Sequence, residues 1–218
     1  MAIDPRLAQW TIGLTPGTVA AMEAWTRLVR ALGPVAGELA LRAPATETDL
    51  VATEVMVGHK LPTDYRAWLA VGNGQEASGL SILPRGGWLI SHARLIEQWT
   101  HERGFDLDAE DYDAAPGEDD ELVRPFVFHP RRLTIGGWQF LDGDNTLIDL
   151  VPGPAGTEGQ VMVSVTECEF EVIGASFGVF IDKVAQLVEA GTLSPLMVDD
   201  ALRLTTPDGA WSWEHLLR

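Results

Sequence analysis

The sequence predicts an α+β fold: N-terminal helices, a central antiparallel or mixed β-sheet built as a hairpin meander, and a closing C-terminal helix. Three observations predict it. Apolar residues before position 104 recur at spacings of three and four, the period of an amphipathic helix. From position 126 to 172 the dominant period falls to two, as in a strand with one buried face. A last stripe, Phe177, Phe180, Ile181, Val184, Leu187 and Val188, returns to helical spacing. Helices and strands are segregated along the chain, which argues against a parallel sheet with crossover helices.

Residues 1–15 read as an extended arm. Thr15 then offers an N-cap with Pro16 at the first helical position. Val19, Met22, Trp25, Val29 and Leu32 form the stripe of a helix that Gly33-Pro34 ends. Thr46 and Asp49 stand at capping-box spacing before a second helix, which runs to about Val57 and stops at Gly58. Pro62 and Thr63 open a third, with Tyr65, Trp68 and Leu69 on one face and Asn73-Gly74 as its cap. Leu80 and Ile82 suggest a strand before Gly86-Gly87. Ser91 caps a fourth helix, which carries Leu95, Ile96 and Trp99 and stops by Gly104. The tryptophans of these helices read as core.

Phe126-Val127-Phe128 makes a strand, and the organising stretch begins at Gly137. Trp138 and Phe140 alternate with Gln139, and Asp142-Gly143-Asp144-Asn145 supplies the positive-φ chemistry of a hairpin turn. Thr146, Ile148 and Leu150 lead away from it until Pro152-Gly153-Pro154. Next, Val161, Val163 and Val165 share one face while Gln160, Met162 and Ser164 share the other, a half-buried strand. Glu167, Glu169 and Glu171 alternate with Cys168, Phe170 and Val172, which gives one wet face. Gly191 follows the closing helix as its C′ residue. The remainder, with Pro195, Asp208-Gly209, Trp211, Trp213 and Leu216, reads as a tail docked on the core.

A chain of 218 residues with 46% hydrophobic and 22% charged residues suits one globular domain with additions. No apolar run reaches the length of a membrane span, and the N-terminus shows no charged leader before an apolar core. Cys168 stands alone, so neither a disulfide nor a cysteine zinc cluster is expected. It reads as a buried structural thiol, and the compartment reads as cytoplasmic. Fifteen Lys and Arg against 32 acids give a formal charge of −17. Such a surface repels phosphate backbones and anionic lipid, so neither nucleic acid nor membrane is an expected partner. It favours a basic protein. Nine of the acids crowd into residues 106–121 with no basic residue among them: Asp106, Asp108, Glu110, Asp111, Asp113, Glu118, Asp119, Asp120 and Glu121. Without them the formal charge would be −8. These nine are the candidate partner-binding residues, set against the plainer reading of a solvated loop.

The hairpin ending in Asp142-Gly143-Asp144-Asn145, then Leu147-Ile148-Asp149-Leu150-Val151-Pro152, then a Gly-rich loop into Gly159-Gln160-Val161, resembles the SUKH superfamily. More narrowly it resembles the Smi–Knr branch. Leu61-Pro62-Thr63-Asp64-Tyr65-Arg66 leading to Leu69 and Asn73-Gly74 is similar to the branch's helix, and Ala175-Ser176-Phe177 to the opening of its last one. Where the branch commonly has Trp-Xaa-Pro before the hairpin, this chain has Leu133-Thr134-Ile135. The resemblance divides the chain into an N-terminal arm and extra helix (1–45), a SUKH-like core domain (46–190) and a docked tail (191–218). It implies an α+β fold and a non-enzymatic, protein-binding role. That role is an immunity protein neutralising a polymorphic nuclease or deaminase toxin, or a regulator or scaffold of the fungal cell-wall type.

One motif points to catalysis instead. Gly174-Ala175-Ser176-Phe177-Gly178 is G-x-S-x-G between a strand and a helix, and Asp199, Asp200 and His215 follow in the order of a hydrolase triad. Against it, the stretch after Ser176 is too short for the further strand–helix units that bring acid and base alongside. No Gly-rich oxyanion segment precedes it either. Ser176 as an N-cap is the competing reading. Asp142-Gly143-Asp144-Asn145-Thr146 imitates a calcium loop but has Leu147 and Gly153 where an EF-hand needs Gly and Glu. The five histidines are scattered, so no metal and no cofactor are expected.

Overall fold

Four helix starts are fixed by the side chains the sequence offers for them. Thr15 Oγ1 accepts from Thr18 N–H, and Ser91 Oγ from Arg94 N–H. Thr46 and Asp49 form a reciprocal capping box, and Ser176 Oγ accepts from Val179 N–H. Each satisfies a donor that the helix cannot satisfy itself. The computed structural model describes residues 15–104, 121–124, 128–138, 141, 143–165 and 169–217. The α-helices are α1 (Pro16–Leu32), α2 (Glu47–Val57), α3 (Thr63–Leu69), α4 (His92–Arg103) and α5 (Phe177–Glu189). The strands are β1 (Trp88–Leu89), β2 (Arg132–Gly137), β3 (Thr146–Asp149), β4 (Gln160–Val165) and β5 (Glu169–Gly174), then β6 (Ser194–Val198) and β7 (Ala201–Thr205).

Strands β1 to β5 pair in sequence order, antiparallel throughout, and β6–β7 form a separate hairpin. The α+β class is therefore borne out, with an antiparallel rather than a mixed sheet. One face of the sheet presents Leu133, Ile135, Ile148, Val161, Val163 and Ile173 to the helices. Phe177, Phe180, Ile181 and Val184 of α5 lie in the same core, with Tyr65, Trp68 and Leu69 of α3. Trp25 of α1 meets the Trp68 ring edge-on at 5.7 Å, and Phe177 contacts both Tyr65 (5.2 Å) and Trp68 (5.5 Å).

A buried carboxylate locks this layer. Asp64 Oδ1 accepts from Tyr65 N–H at 2.8 Å, and Oδ2 accepts from Gly178 N–H at 2.9 Å. One side chain thus satisfies free donors at the starts of two helices. Further along the same side of α5, Arg27 of α1 pairs with Asp182 and Glu189.

Some expectations need correction. The stripe on α1 is rotated: Ala21, Ala24, Trp25, Leu28 and Leu32 are buried, whereas Val19 is exposed and Met22 half-buried. Small residues win that face because the helices come close, and a Cβ added to Gly178 would sit 3.1 Å from Ala21 Cα. Helix α3 ends at Leu69, before Asn73-Gly74, and Asn73 Oδ1 instead accepts from the His92 N–H that starts α4. Leu80 and Ile82 are buried without forming a strand, and the short β1 falls at Trp88–Leu89. The first hairpin strand is β2, carried by Leu133 and Ile135, and it ends before Trp138. Aromatic strand propensity favoured Trp138 and Phe140, but the β-bulge between Thr134 and Gly136 turns the chain there. Phe140 and Asp142 lie outside the described residues, as do 125–127, while Phe128 sits in a bend. The expected tail contains a hairpin, turned at Asp199-Asp200 with both φ positive, and Trp213 reaches the main core.

Asp64→Ala should leave the Tyr65 and Gly178 N–H groups buried without an acceptor and lower stability by about 1.5–3 kcal/mol. Chemical denaturation of the two proteins reads this directly. An unchanged midpoint would show that the carboxylate is not what joins α3 to α5.

Candidate functional site

Of the nine acids in 106–121, Glu121 is placed, exposed at the surface, and Asp106 to Asp120 lie outside the described residues. What the structure gives is the anchor at the end of this stretch. Gly153 N–H donates to Leu122 carbonyl at 2.9 Å and Ala155 N–H to Glu121 carbonyl at 2.8 Å. A Cβ at Gly153 would lie 2.4 Å from Glu121 carbonyl, and one at Gly156 2.3 Å from Leu122 carbonyl. The Gly-rich loop is therefore glycine because residues 121–122 press on its backbone. Val123 then turns inward and is buried against Leu147 and Met162, with Phe170 and Val172 beside them.

This second face of the sheet overturns the half-buried reading of β4. Met162 and Gln160 are as buried as Val161 and Val163, because residues 121–124 cover the sheet side opposite the helices. Charges are buried with them. Arg132 and Asp149 are 1% and 0% exposed and face each other across β2–β3 at 3.5 Å. Gln160 Nε2 donates to Asp149 Oδ2 at 3.1 Å and to Leu122 carbonyl at 2.9 Å. Val151 N–H donates to Asp149 Oδ1, Arg132 Nη2 to Arg124 carbonyl, and Phe170 stacks 4.7 Å from the guanidinium. Asp149 and Gln160 both belong to the segments that resemble the Smi–Knr branch, so those segments serve this network. Its polar members are paired as burial requires.

His129 stands where the covering chain enters β2. Its Nδ1 accepts from Arg131 N–H at 3.0 Å. Burial, and then the positive charge of Arg132, push its pKa down to about 4, with Asp149 opposing them.

Ser176 caps α5 and its Oγ is engaged by Val179 N–H. Asp199 and Asp200 form the β6–β7 turn and His215 the last 3₁₀ turn (Glu214–Leu217), so the residues of the hydrolase reading belong to separate elements. Ser176 does line an open cleft of about 1070 Å³ between α1 and α5, together with Arg27, Lys60, Asp64, Asp182 and Lys183. Arg27, Asp182 and Asp64 in that cleft are already engaged in holding helices together. Among the described residues no group of three or more His, Cys, Asp or Glu is placed to hold a metal ion, and no helix is long and apolar enough to cross a membrane.

One cluster escaped the sequence reading. Arg203 of β7 lies with its guanidinium carbon 3.6 Å from the Trp211 ring centre and 4.9 Å from that of Trp138. Trp138 in turn packs on Trp88 at 5.2 Å. These residues are scattered over more than a hundred positions, and no periodicity links them.

The model of the SMI1 / KNR4 family (SUKH-1) matches residues 44–183, more than half of the chain. The chain therefore belongs to this family, as its central segments indicate. No curated protein sequence matches the chain. The family is generally non-catalytic, and membership is compatible with an immunity protein or a cell-wall regulator.

Ser176→Ala should cost about 0.5–2 kcal/mol of stability through loss of the cap and leave binding per folded molecule intact. A well-folded variant that has lost all activity would restore the nucleophile. A second expectation concerns acid. Between pH 6.5 and 4 the unfolded chain takes up a proton at His129 that the folded chain refuses, so acidification across this window lowers stability. In His129→Asn the Oδ1 can replace Nδ1 as acceptor and no proton is taken up, so the stability–pH curve should be flatter there. Superimposable curves would exclude His129 as the origin.

Proposed function

We propose that this SUKH-1 family member is a non-enzymatic protein-binding domain, acting in the cytoplasm as an immunity protein that neutralises a basic nuclease or deaminase toxin. The observation that carries the reading is the charge: −17 overall, with nine acids in residues 106–121. A nucleic-acid-degrading toxin is basic where it holds its substrate, and an acidic surface is complementary to that region. The family supports a binding role over a catalytic one. The anchoring of 121–124 supports the location, because it fixes the end of the acidic stretch against the core. In this reading the core domain 46–190 supplies the scaffold, and 1–45 and 191–218 are additions to it.

Steering by charge acts over about 8 Å at physiological salt. It raises association rates more than it slows dissociation. The test takes the basic protein recovered with this chain by pull-down from its native host. Its association rate is compared for wild type and for a variant with Glu118, Asp119, Asp120 and Glu121 changed to Gln or Asn. The wild type should associate roughly tenfold faster at low salt, and the difference should close at high salt. Equal rates at both salts would place the contact surface elsewhere on the domain. Recovery of no basic protein at all would count against immunity.

A further inference from the structure

Among the described residues Arg203 is a buried cation without a counter-ion. The residue is 2% exposed, and its Nε and Nη1 are buried with no hydrogen-bond partner. A lysine in that position could shed its proton; a guanidinium does not. Arg85, which precedes the Gly86 that Arg203 Nη1 packs against, has two acids of its own. Glu214 Oε1 accepts from Arg85 Nε and Nη2 at 3.0 and 2.8 Å, and Asp144 Oδ2 from Nη1 at 3.1 Å. Asp199 acts on Arg203 only at a distance, as a charge opposing the effect of burial. Leaving charged donors buried and unpaired is more costly than leaving a neutral group so. The other largely buried arginines, Arg132 and Arg85, are both ion-paired.

The surroundings narrow what could complete it. Trp211 and Trp138 take the guanidinium by ring contact, which leaves N–H groups at its edge for an acceptor. Trp138, which lies against the guanidinium, is itself 38% exposed and sits in a bend just beyond the end of β2, so the cluster reaches the surface at this ring. The backbone beneath is fixed: Ser81 N–H donates to Leu202 carbonyl, Leu204 N–H to Ser81 carbonyl, and Arg85 N–H to Trp211 carbonyl. Arg85 itself holds φ +59, a conformation that costs a non-glycine residue energy. An edge-on fork of donors between flat rings matches a planar anion with two oxygens.

We propose that Arg203, held between Trp138 and Trp211, is a carboxylate-binding site. Tryptophan and arginine are the residues that dominate protein interfaces, and an acidic side chain or a C-terminal carboxylate of a bound polypeptide supplies the acceptors Arg203 lacks. A free small carboxylate offers the same chemistry. The site does not depend on the acidic stretch, and a partner that is basic overall satisfies it with a single acid.

The test uses the full-length wild-type chain, labelled with ¹⁵N, and follows the arginine Nε–H resonances by NMR. The Arg203 signal is identified by its absence in Arg203→Lys or, should that variant not fold, by its displacement in Trp138→Phe. Acetate is titrated at constant ionic strength against sodium chloride. The expected result is a saturable shift of the Arg203 signal with half-saturation in the millimolar range, absent with chloride. Acetyl-Gly-Glu-Gly-amide and acetyl-Gly-Gln-Gly-amide distinguish the sources. Saturation by the Glu peptide alone, tenfold or more below acetate, assigns a polypeptide carboxylate, and equal affinity for acetate assigns a free one. Inorganic phosphate binding as tightly as acetate would overturn the carboxylate assignment. A signal that drifts linearly and alike with every anion would leave Arg203 a water-solvated structural residue and overturn the site.

Discussion

The fold turns on one carboxylate. Asp64 stands 114 residues before Gly178, yet its two oxygens take free N–H groups in the first turns of α3 and α5. The aromatic packing on the helical side of the sheet is built around that junction. Phe177 follows Ser176 into the space between Tyr65 and Trp68, and Trp25 closes the cluster from α1. Apolar contact alone would tolerate sliding of α5 along the sheet, because it is not directional. Two hydrogen bonds from one buried group are directional and fix the register.

The opposite face follows a different logic. There the sheet buries Arg132, Asp149 and Gln160, which satisfy one another in part and leave donors for a second layer of backbone. The chain supplies it by returning from the acidic stretch through Leu122, Val123 and Arg124, whose carbonyls and side chains complete the network. Gly153 and Gly156 are the steric condition for that return. The Gly-rich loop, Asp149 and Gln160 are thus parts of one arrangement, which joins the sheet to the segment carrying most of the protein's surplus charge.

Much of the fold was legible because its signals are local. Thr15, Thr46 with Asp49, Ser91 and Ser176 each announced a helix that the structure contains, and Val161 and Val163 announced the buried face of β4. What was not legible depended on partners distant in sequence. Met162 and Gln160 read as wet because nothing in their own strand reveals Val123. The stripe on α1 was assigned to its larger side chains, since Ala21 and Ala24 win only through the close approach of Gly178. The β6–β7 hairpin turns on Asp199-Asp200 rather than an Asn-Gly signal, and so passed as tail. Arg203 was invisible for the same reason, since its environment is assembled from three separate segments. The acidic stretch was legible as composition, and its anchoring was not.

The Asp64 junction also has a consequence for synthesis. The ribosome makes Trp25, Tyr65 and Trp68 long before it makes Phe177, Phe180 and the Gly178 amide that Asp64 requires. At about 5–20 residues per second, the 114 residues between Asp64 and Gly178 represent a delay on the order of ten seconds. During that interval the three aromatic side chains have one another but not Phe177, and the carboxylate has Tyr65 N–H but not Gly178 N–H. Helices α1 to α3 emerge without the α5 side of their packing, while the β-meander pairs its strands in order of appearance. Nascent chains halted before α5 therefore present the surfaces that chaperones recognise, and chains extended through it do not.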